Sequence, residues 1–133
     1  MEASPPQLRA LVIDDDRDSA TAFAEMLKLD GYVVQIVTDA LKAIEAARDF
    51  RPQVTFLDIA MPARDGNEIA RQFRREPSLY DSVIVAITGY CSDADREAAF
   101  AAGADYFLAK PAKMHAIRQA ISMARSMSKP TAV

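Results

Sequence analysis

The sequence predicts an α/β fold, a three-layer doubly wound sandwich in which helices cover both faces of a parallel sheet. Short apolar, β-branched runs alternate with longer segments whose apolar residues recur every three to four positions, so five strands alternate with five helices. The connections between them are short, which implies right-handed crossovers between parallel strands. No repeat or low-complexity stretch interrupts this alternation.

The predicted strands are short runs rich in β-branched and other apolar residues. They cover residues 9–13, 32–37, 54–57, 82–87 and 105–108. The second run is nearly continuous in such residues, and we therefore expect it to be buried on both faces of the sheet. The third run ends at Asp58, where Met61-Pro62 and Asp65-Gly66 predict a loop.

The predicted helices follow the strands in turn and have an apolar stripe at helical spacing. They cover residues 19–29, 40–50, 67–75, 93–102 and 112–126. Capping residues and helix breakers mark the helix boundaries, namely Asp30-Gly31, Asp39, Arg51-Pro52, Pro77, Ser92 and Gly103.

The length of 133 residues suits one domain, which we expect to span residues 8–127 between flexible ends at 1–7 and 128–133. With 50% hydrophobic and 26% charged residues, the composition is typical of a globular protein. No apolar run approaches the roughly 20 residues that cross a bilayer. The first residues lack the basic and apolar regions of a signal peptide. We therefore expect a cytoplasmic protein without membrane contact.

The rare and charged residues exclude several kinds of site. A single cysteine and a single histidine exclude an internal disulfide and a zinc site of the usual Cys/His kind. The net charge of -3 and the lack of a DNA-binding motif argue against nucleic-acid contact. Residues 109–133 nevertheless carry basic side chains and no acid. This charge suits either the solvated face of the last helix or a docking surface for an acidic partner.

Polar residues follow four of the five predicted strands. They are Asp14 and Asp15 after the first, Asp58 after the third, Thr88 after the fourth and Lys110 after the fifth. In an open parallel sheet these ends line one edge, which is where such sheets bind ligands. Three neighbouring carboxylates repel one another unless a cation joins them. Ligands that are all oxygens favour a hard divalent ion, Mg²⁺ or else Mn²⁺.

The same set of side chains suits phosphoryl transfer. The hydroxyl of Thr88 and the ammonium of Lys110 can stabilise charge on phosphoryl oxygens, and the Asp58 carboxylate can act as the nucleophile. Each residue also has a local explanation, since Asp14 or Asp58 can simply cap the following helix. Their joint placement at strand ends favours the shared site.

At this point the chain resembles the receiver domain of two-component response regulators over roughly residues 8–125. The motifs that carry the resemblance are residues 11–16 (Leu-Val-Ile-Asp-Asp-Asp), 57–66 (Leu-Asp-Ile-Ala-Met-Pro through Asp-Gly), 86–89 (Ala-Ile-Thr-Gly) and 103–111 (Gly-Ala-Asp through Lys-Pro). The resemblance implies a flavodoxin-like sheet with strand order 2-1-3-4-5.

The resemblance also implies residue roles. Asp58 matches the phosphoacceptor, which takes a phosphoryl group from a phosphohistidine on a sensor histidine kinase or a histidine phosphotransfer protein. Thr88 and Lys110 match the hydroxyl and the cation that contact this group. Asp58 and Asp15 match direct metal ligands together with the backbone carbonyl of Ala60, and Asp14 matches an acid that acts through bound water. Lys110-Pro111 matches a peptide bond that is usually cis.

A switch and a partner surface are implied as well. By spacing, Phe107 rather than Tyr106 matches the aromatic residue whose rotamer follows Thr88, and we expect burial alone to hold its ring inward. The change would reach a face formed by the fourth helix, fifth strand and fifth helix, where Lys113 and Arg118 add basic charge. We expect this face to bind a downstream protein or a second copy of the chain.

Other interpretations remain open from sequence. A phosphohydrolase of the haloacid dehalogenase type would use Asp14 as its nucleophile, although Asp18 departs from that family's pattern. A nucleotide or flavin carrier fits poorly, because the first loop has no glycine. In the preferred interpretation the chain is a switch with autodephosphorylation rather than a turnover enzyme, and Ala60 and Tyr90 leave that rate open. The chain can also be a module of a larger protein.

Overall fold

A computed structural model describes residues 8–62, 65–89 and 92–126. The strands are β1 (Arg9–Ile13), β2 (Val33–Val37), β3 (Val54–Asp58), β4 (Val83–Thr88) and β5 (Tyr106–Ala109). The helices are α1 (Arg17–Leu29), α2 (Ala43–Phe50), α3 (Gly66–Arg75), α4 (Asp93–Ala102) and α5 (Met114–Ser126). All strand pairs are parallel, and the order is β2-β1-β3-β4-β5. The predicted fold class and strand order are confirmed.

Two apolar layers lie on opposite faces of the sheet because successive strand residues point to opposite sides. Leu11, Leu57 and other sheet residues pack with α2, α3 and α4, where Phe73 is fully buried. Val12, Phe56 and their neighbours pack with α1 and α5, where Ile117 is fully buried. The sheet is thus covered on both faces, and its strand ends remain free to carry polar groups.

The caps predicted at Asp39 and Ser92 are present, and a further cap at Asp16 moves the start of the first helix. Asp16 accepts hydrogen bonds from the backbone N–H groups of Asp18 and Ser19, so α1 begins at Arg17 rather than at 19. Asp39 caps a 3-10 turn (Ala40–Lys42) that leads into α2, and Ser92 caps α4. Each cap satisfies helix N–H groups that have no partner within the helix.

The expectation that the second strand is buried on both faces is wrong. In β2 only Val37 is buried, and Val33 is 40% exposed. β2 pairs with β1 alone and forms an edge of the sheet. A run of β-branched residues fits an edge strand as well as a central one, because β propensity reports packing on a pleated surface and not position in the sheet.

Arg74 forms a network of hydrogen bonds and an ion pair at the amino-terminal edge of the sheet. Its guanidinium donates hydrogen bonds to the carbonyl oxygens of Gly103, Tyr80 and Ser82, and it forms an ion pair of 2.8 Å with Asp105. The same carboxylate oxygen of Asp105 accepts a hydrogen bond of 2.9 Å from the N–H of Ile84 in β4. One arginine of α3 therefore ties together the loops that lead into β4 and β5.

A second ion pair connects α5 to the end of α1. Arg118 donates hydrogen bonds of 2.8–3.1 Å to both carboxylate oxygens of Asp30. This interaction engages the guanidinium of Arg118, which the sequence assigned to a face that binds a partner, with the end of α1.

The expected flexible ends, 1–7 and 128–133, lie outside the described residues, as does residue 127. No helix in the described part of the chain is long and apolar enough to cross a bilayer.

Candidate functional site

Asp58 is the last residue of β3, a strand in which every residue is buried. Only 8% of its surface is exposed. The backbone N–H of Ala60 donates a hydrogen bond of 3.0 Å to its Oδ1, and that of Ile59 donates one of 3.2 Å to the carbonyl of Ile87. The chain thus follows the sheet one residue beyond Asp58, which holds this carboxylate at the carboxyl edge.

Gly66 allows the following loop to return close to Asp58. A Cβ atom at this position would lie 2.6 Å from the backbone oxygen of Asp58 and 2.5 Å from the Cα of Ile59. Any other residue would push α3 away from the strand end, since real Cβ atoms do not approach backbone atoms so closely. The Asp65-Gly66 pair therefore positions the loop as well as the helix, because Asp65 caps α3 through the N–H of Asn67.

Lys110 joins two carboxylates that are far apart in sequence. Its Nζ lies 2.9 Å from Oδ2 of Asp14 and 3.2 Å from Oδ2 of Asp58. The other oxygen of Asp14 accepts a hydrogen bond of 3.0 Å from the N–H of Asp16. Both acids are at least nine-tenths buried, so they and the lysine interact in a region of low dielectric.

Burial and charge shift two titrations at this site in the same direction. Burial is the largest influence on Asp58 and raises the pKa of its carboxyl group, although the Ala60 N–H and Lys110 oppose the shift. Burial alone would lower the pKa of Lys110, but hydrogen bonds and charges from Asp14 and Asp58 outweigh it and the pKa is raised. The lysine therefore stays protonated at neutral pH, while the ionised form of Asp58 is disfavoured by its surroundings.

Three carboxylates meet here in a geometry suited to a metal ion. Asp14, Asp15 and Asp58 each offer an oxygen, and these oxygens lie within 4.8 Å of one another. A hard divalent cation is bound by such oxygens at about 2.0–2.6 Å, so one ion can contact more than one of them. One ammonium cannot neutralise three carboxylates, and the donor set therefore fits the predicted Mg²⁺ or Mn²⁺ site.

Thr88 lies beside this cluster on β4, and Phe107 lies on the neighbouring strand β5 in register with Ala86. Thr88 ends β4, is 1% exposed, and accepts a hydrogen bond of 2.9 Å at its backbone oxygen from the N–H of Lys110. Phe107 is 7% exposed and packs on the face covered by α2, α3 and α4, whereas Tyr106 packs on the opposite face. Phe107 and Tyr106 therefore lie on opposite faces of the sheet, and the role of Phe107 as the switch aromatic stays a prediction.

An apolar pocket of about 210 Å³ lies beside the carboxylates. Its walls include Phe23 and Met26 of α1 and Phe56 of β3, and Asp58 and Lys110 also line it. The rings of Phe23 and Phe56 pack edge to face with centroids 4.8 Å apart. The phosphoacceptor candidate thus borders an apolar concavity between α1 and the start of α5.

The structure brings together the site residues predicted from sequence, namely Asp14, Asp15, Asp58, Thr88 and Lys110. Ala60 contacts Asp58 through its N–H, and the role of its carbonyl stays a prediction. The Lys110-Pro111 bond is cis, as the resemblance implied. Tyr90, whose effect on rates was left open, lies outside the described residues.

Sequence reasoning missed Arg96, whose guanidinium carbon lies 5.6 Å from the centroid of the Phe107 ring. It also missed the apolar pocket, although the apolar residues of α1 were recognised as a helical stripe. Neither feature has a local pattern, because each depends on how a helix lies against a distant strand.

Comparisons with known proteins agree with this geometry. The family model described as "Response regulator receiver domain" matches residues 10–122. Response regulator MprA of Mycobacterium ulcerans is 38% identical over 104 residues, which are 78% of this chain and 44% of that protein. The chain spans about half the length of the curated relatives that it matches.

Two solved structures are similar over nearly the whole chain. The receiver domain of sensor histidine kinase PA1611 from Pseudomonas aeruginosa, solved with a magnesium ion in its active-site cleft, is 26% identical with a TM-score of 0.81 and covers 91% of this chain and 99% of that one. A response regulator from Burkholderia pseudomallei with a phosphorylated aspartic acid and a calcium ion is 25% identical with a TM-score of 0.79 and covers 96% and 78%.

The matched family accounts for most of the chain, including every predicted site residue. None of these relatives supports the haloacid dehalogenase alternative with Asp14 as nucleophile. The chain therefore belongs to the family of response regulator receiver domains, the phosphorylation-dependent switches of two-component signalling.

Proposed function

We propose that Asp58 accepts a phosphoryl group from a phosphohistidine on a sensor histidine kinase or a histidine phosphotransfer protein. An oxygen of the Asp58 carboxylate forms the new bond to phosphorus, and the imidazole leaves with the electron pair of the P–N bond. The observation that carries the proposal is the bridging of Asp58 and Asp14 by Lys110, at 3.2 and 2.9 Å. The product stays on the protein, so the chain acts as a switch rather than a turnover enzyme.

Lys110 is suited to hold the transferred group. Its raised pKa keeps it charged, and it already contacts the nucleophilic carboxylate at Oδ2. A fixed cation aimed at the phosphoryl oxygens stabilises the charge that spreads over them during transfer. Burial raises the pKa of Asp58, which makes the ionised carboxylate more basic and more reactive toward phosphorus.

Mg²⁺, or Mn²⁺, would be held directly by Asp15, Asp58 and the backbone carbonyl of Ala60, and Asp14 would act through bound water. Such an ion supplies positive charge beside the carboxylates and the phosphoryl oxygens. The clustering of three carboxylate oxygens within 4.8 Å supports this assignment. A magnesium ion occupies the cleft of the Pseudomonas relative, and a calcium ion accompanies the phosphorylated aspartate of the Burkholderia relative.

The apolar pocket beside Asp58 suits the approach of a phosphodonor protein. A phosphohistidine can reach Asp58 only if the donor residues that flank this histidine contact the surface next to the Asp58 carboxylate. That surface includes Ala22, Phe23 and Met26 of α1, which line the pocket. Apolar side chains next to the phosphohistidine would be buried there, and burial of apolar area is the main favourable contribution to protein association.

The output is a change at the face formed by α4, β5 and α5. Phosphorylation would draw the Thr88 hydroxyl toward the phosphoryl group, and the ring of Phe107 would follow it. Phe100 of α4 is 42% exposed on its helix and is available for contact. We expect a downstream protein or a second copy of the chain to bind this face. Lys113 is exposed and can contribute, whereas Arg118 is engaged by Asp30.

The cytoplasmic location stays a prediction.

Phosphotransfer from candidate histidine kinases to the intact chain tests donor, site and metal together. We expect the label on Asp58, its loss in Asp58→Asn, and its loss when the divalent ion is chelated. Asp49→Asn removes an exposed carboxylate from α2 and serves as the matched control that keeps the label. A label mapped to Asp14, or one that survives in Asp58→Asn, would overturn the proposal.

A further inference from the structure

The guanidinium of Arg96 lies over the ring of Phe107. The guanidinium carbon is 5.6 Å from the ring centroid, within the range of a cation–π contact. Arg96 is exposed in the first turn of α4, whereas Phe107 is buried in β5. The contact therefore joins an exposed residue of a helix to a buried residue of the neighbouring strand.

The position of Arg96 is not explained by its neighbours on α4. The surrounding acids are Asp93, Asp95 and Glu97, and any of them offers a carboxylate on the same helix. Among the described residues, none of these carboxylates lies within 4.0 Å of the guanidinium of Arg96, so it forms no ion pair there. A cation in the first turn of a helix also faces the positive end of the helix dipole. The aromatic ring is the favourable partner that remains.

We propose that Arg96 is a positioning residue for the Phe107 ring, which it holds in the buried position and connects to the exposed surface of α4. This inference rests on the proposed function, in which the ring of Phe107 responds to phosphorylation at Asp58. The sequence suggested that burial alone holds this ring, because a phenyl group has no hydroxyl to hydrogen-bond. The cation over its face is a second, electrostatic contribution.

The expected size follows from the exposure of the cation. A cation–π contact at an exposed site changes an equilibrium constant by about two- to fivefold. If the ring leaves the buried position, its face separates from the guanidinium and this factor is lost. Arg96→Gln should therefore shift the ring away from the buried position by about two- to fivefold. Arg96→Lys, which keeps a cation without the planar group, should give a smaller shift.

A double-mutant cycle on unfolding measures the contact itself. Arg96→Gln, Phe107→Leu and the double variant are compared with the intact chain by urea unfolding. We expect the two changes to be coupled by about two- to fivefold in the unfolding constant. Arg75→Gln removes an exposed arginine from α3 and should show no coupling to Phe107→Leu. Additive effects of Arg96→Gln and Phe107→Leu would overturn the inference.

The affinity for Mg²⁺ with beryllofluoride, a phosphoryl analogue, measures the consequence for the switch. We expect Arg96→Gln to change this affinity by up to about fivefold in the chain with Phe107 and not at all in the Phe107→Leu background. An equal change in both backgrounds would show a general charge effect and overturn the inference. ¹⁹F NMR of fluorophenylalanine-labelled chain, with the Phe107 signal assigned by its loss in Phe107→Leu, should show the ring shift directly.

The two proposals fail in different ways. If the intact chain does not bind Mg²⁺ with beryllofluoride, the proposed function is wrong, and the unfolding cycle still decides whether Arg96 holds the ring. If the intact chain binds the analogue and Arg96→Gln changes neither its affinity nor the ¹⁹F signal, the role of Arg96 is wrong and the proposed function stands.

Discussion

The two edges of the sheet combine cationic and acceptor groups in different proportions. At the carboxyl edge, Lys110 contacts two of three clustered carboxylates. At the amino edge, Arg74 is shared by the carboxylate of Asp105 and three backbone carbonyls. The first arrangement has more carboxylates than cations, and two of its carboxylates, Asp14 and Asp58, are buried. In the second, every partner of the arginine is an acceptor that needs a donor.

This difference separates a reactive site from a structural one. Unbalanced carboxylates cost free energy on folding, and they persist where a metal ion or a transferred group balances them. A guanidinium with satisfied acceptors has no capacity for another ligand, and it stabilises the loops that it joins. The two edges also differ in pocket volume. The pocket at Asp58 has a volume of about 210 Å³, whereas a pocket at the other edge, lined by Gln53, Tyr32 and Val83, has a volume of only about 10 Å³.

Among changes that keep the Asp58 nucleophile, removing Lys110 should have the largest effect on function. Lys110→Met takes away the cation that contacts the nucleophile, and the loss of one preorganised electrostatic group costs about 10²- to 10³-fold in rate. The phosphotransfer rate to Asp58 from a histidine kinase is the measurement. Lys113→Met, three residues further and exposed, is the control that keeps the rate. If the Lys110→Met chain accepted the phosphoryl group at the normal rate, the carboxyl edge would not differ from the amino edge in the way described above.

Removing Arg74 should have the largest effect on stability. Arg74→Met leaves Asp105 and several carbonyl oxygens without their donor, and disrupting such a partly buried network costs about 3 kcal/mol in the free energy of unfolding. Urea unfolding measures this loss, and the neighbouring exposed Arg75→Met should change little. The phosphotransfer rate of the folded Arg74→Met chain should stay normal. A slowed transfer would mean that the amino edge also serves the reaction.

The pocket beside the carboxyl edge should matter for a protein donor only. Ala22→Gln places a larger polar side chain at the pocket wall, and we expect it to slow transfer from a phosphohistidine protein by about tenfold, or about 1.4 kcal/mol. Transfer from a small phosphodonor should keep its rate. The adjacent exposed Thr21→Gln is the control, since Thr21 does not line the pocket. Equal slowing with both donors would assign the pocket to the chemistry instead of to docking.

Neutralising Asp58 should have a small effect on the free energy of unfolding, and the sign of that effect shows whether the carboxylate favours or opposes folding. Burial raises the pKa of folded Asp58 above the unfolded value of about 3.9, so its ionised form opposes folding above the folded pKa. Asp58→Asn should therefore increase the free energy of unfolding at pH 7. The increase should shrink as the pH falls through the folded pKa and disappear below about 3.9, where both states of the intact chain bind the proton.

Urea unfolding between pH 7 and pH 4 checks this dependence, with Asp49→Asn as an exposed control. Saturating Mg²⁺ should stabilise the intact chain more than Asp58→Asn, because binding to the folded state adds to stability. If Asp58→Asn is less stable than the intact chain at pH 7, Asp58 contributes to folding, and the carboxyl edge resembles the amino edge after all.

Local patterns were sufficient to predict the elements and the polar residues that follow the strands. A short apolar run that ends in Asp58 or Thr88, followed by a helical period, needs no distant information to be recognised. The alternation of such runs then restricts the topology, because parallel crossovers are right-handed and strand ends share an edge. This is why the sequence alone predicts that the carboxylates, the hydroxyl and the lysine lie at one edge of the sheet.

The tertiary structure decided which side chains meet. Arg74 with Asp105, Arg118 with Asp30, and Arg96 over Phe107 join residues on different elements, and an arginine in an exposed helical pattern does not show where it points. The edge position of β2 was likewise invisible, since propensity reflects packing on a pleated surface at any place in the sheet. The sequence determined which polar residues follow the strands and therefore share one edge of the sheet with Asp58. Packing determined the distances, the burial and therefore the charge balance on which its chemistry depends.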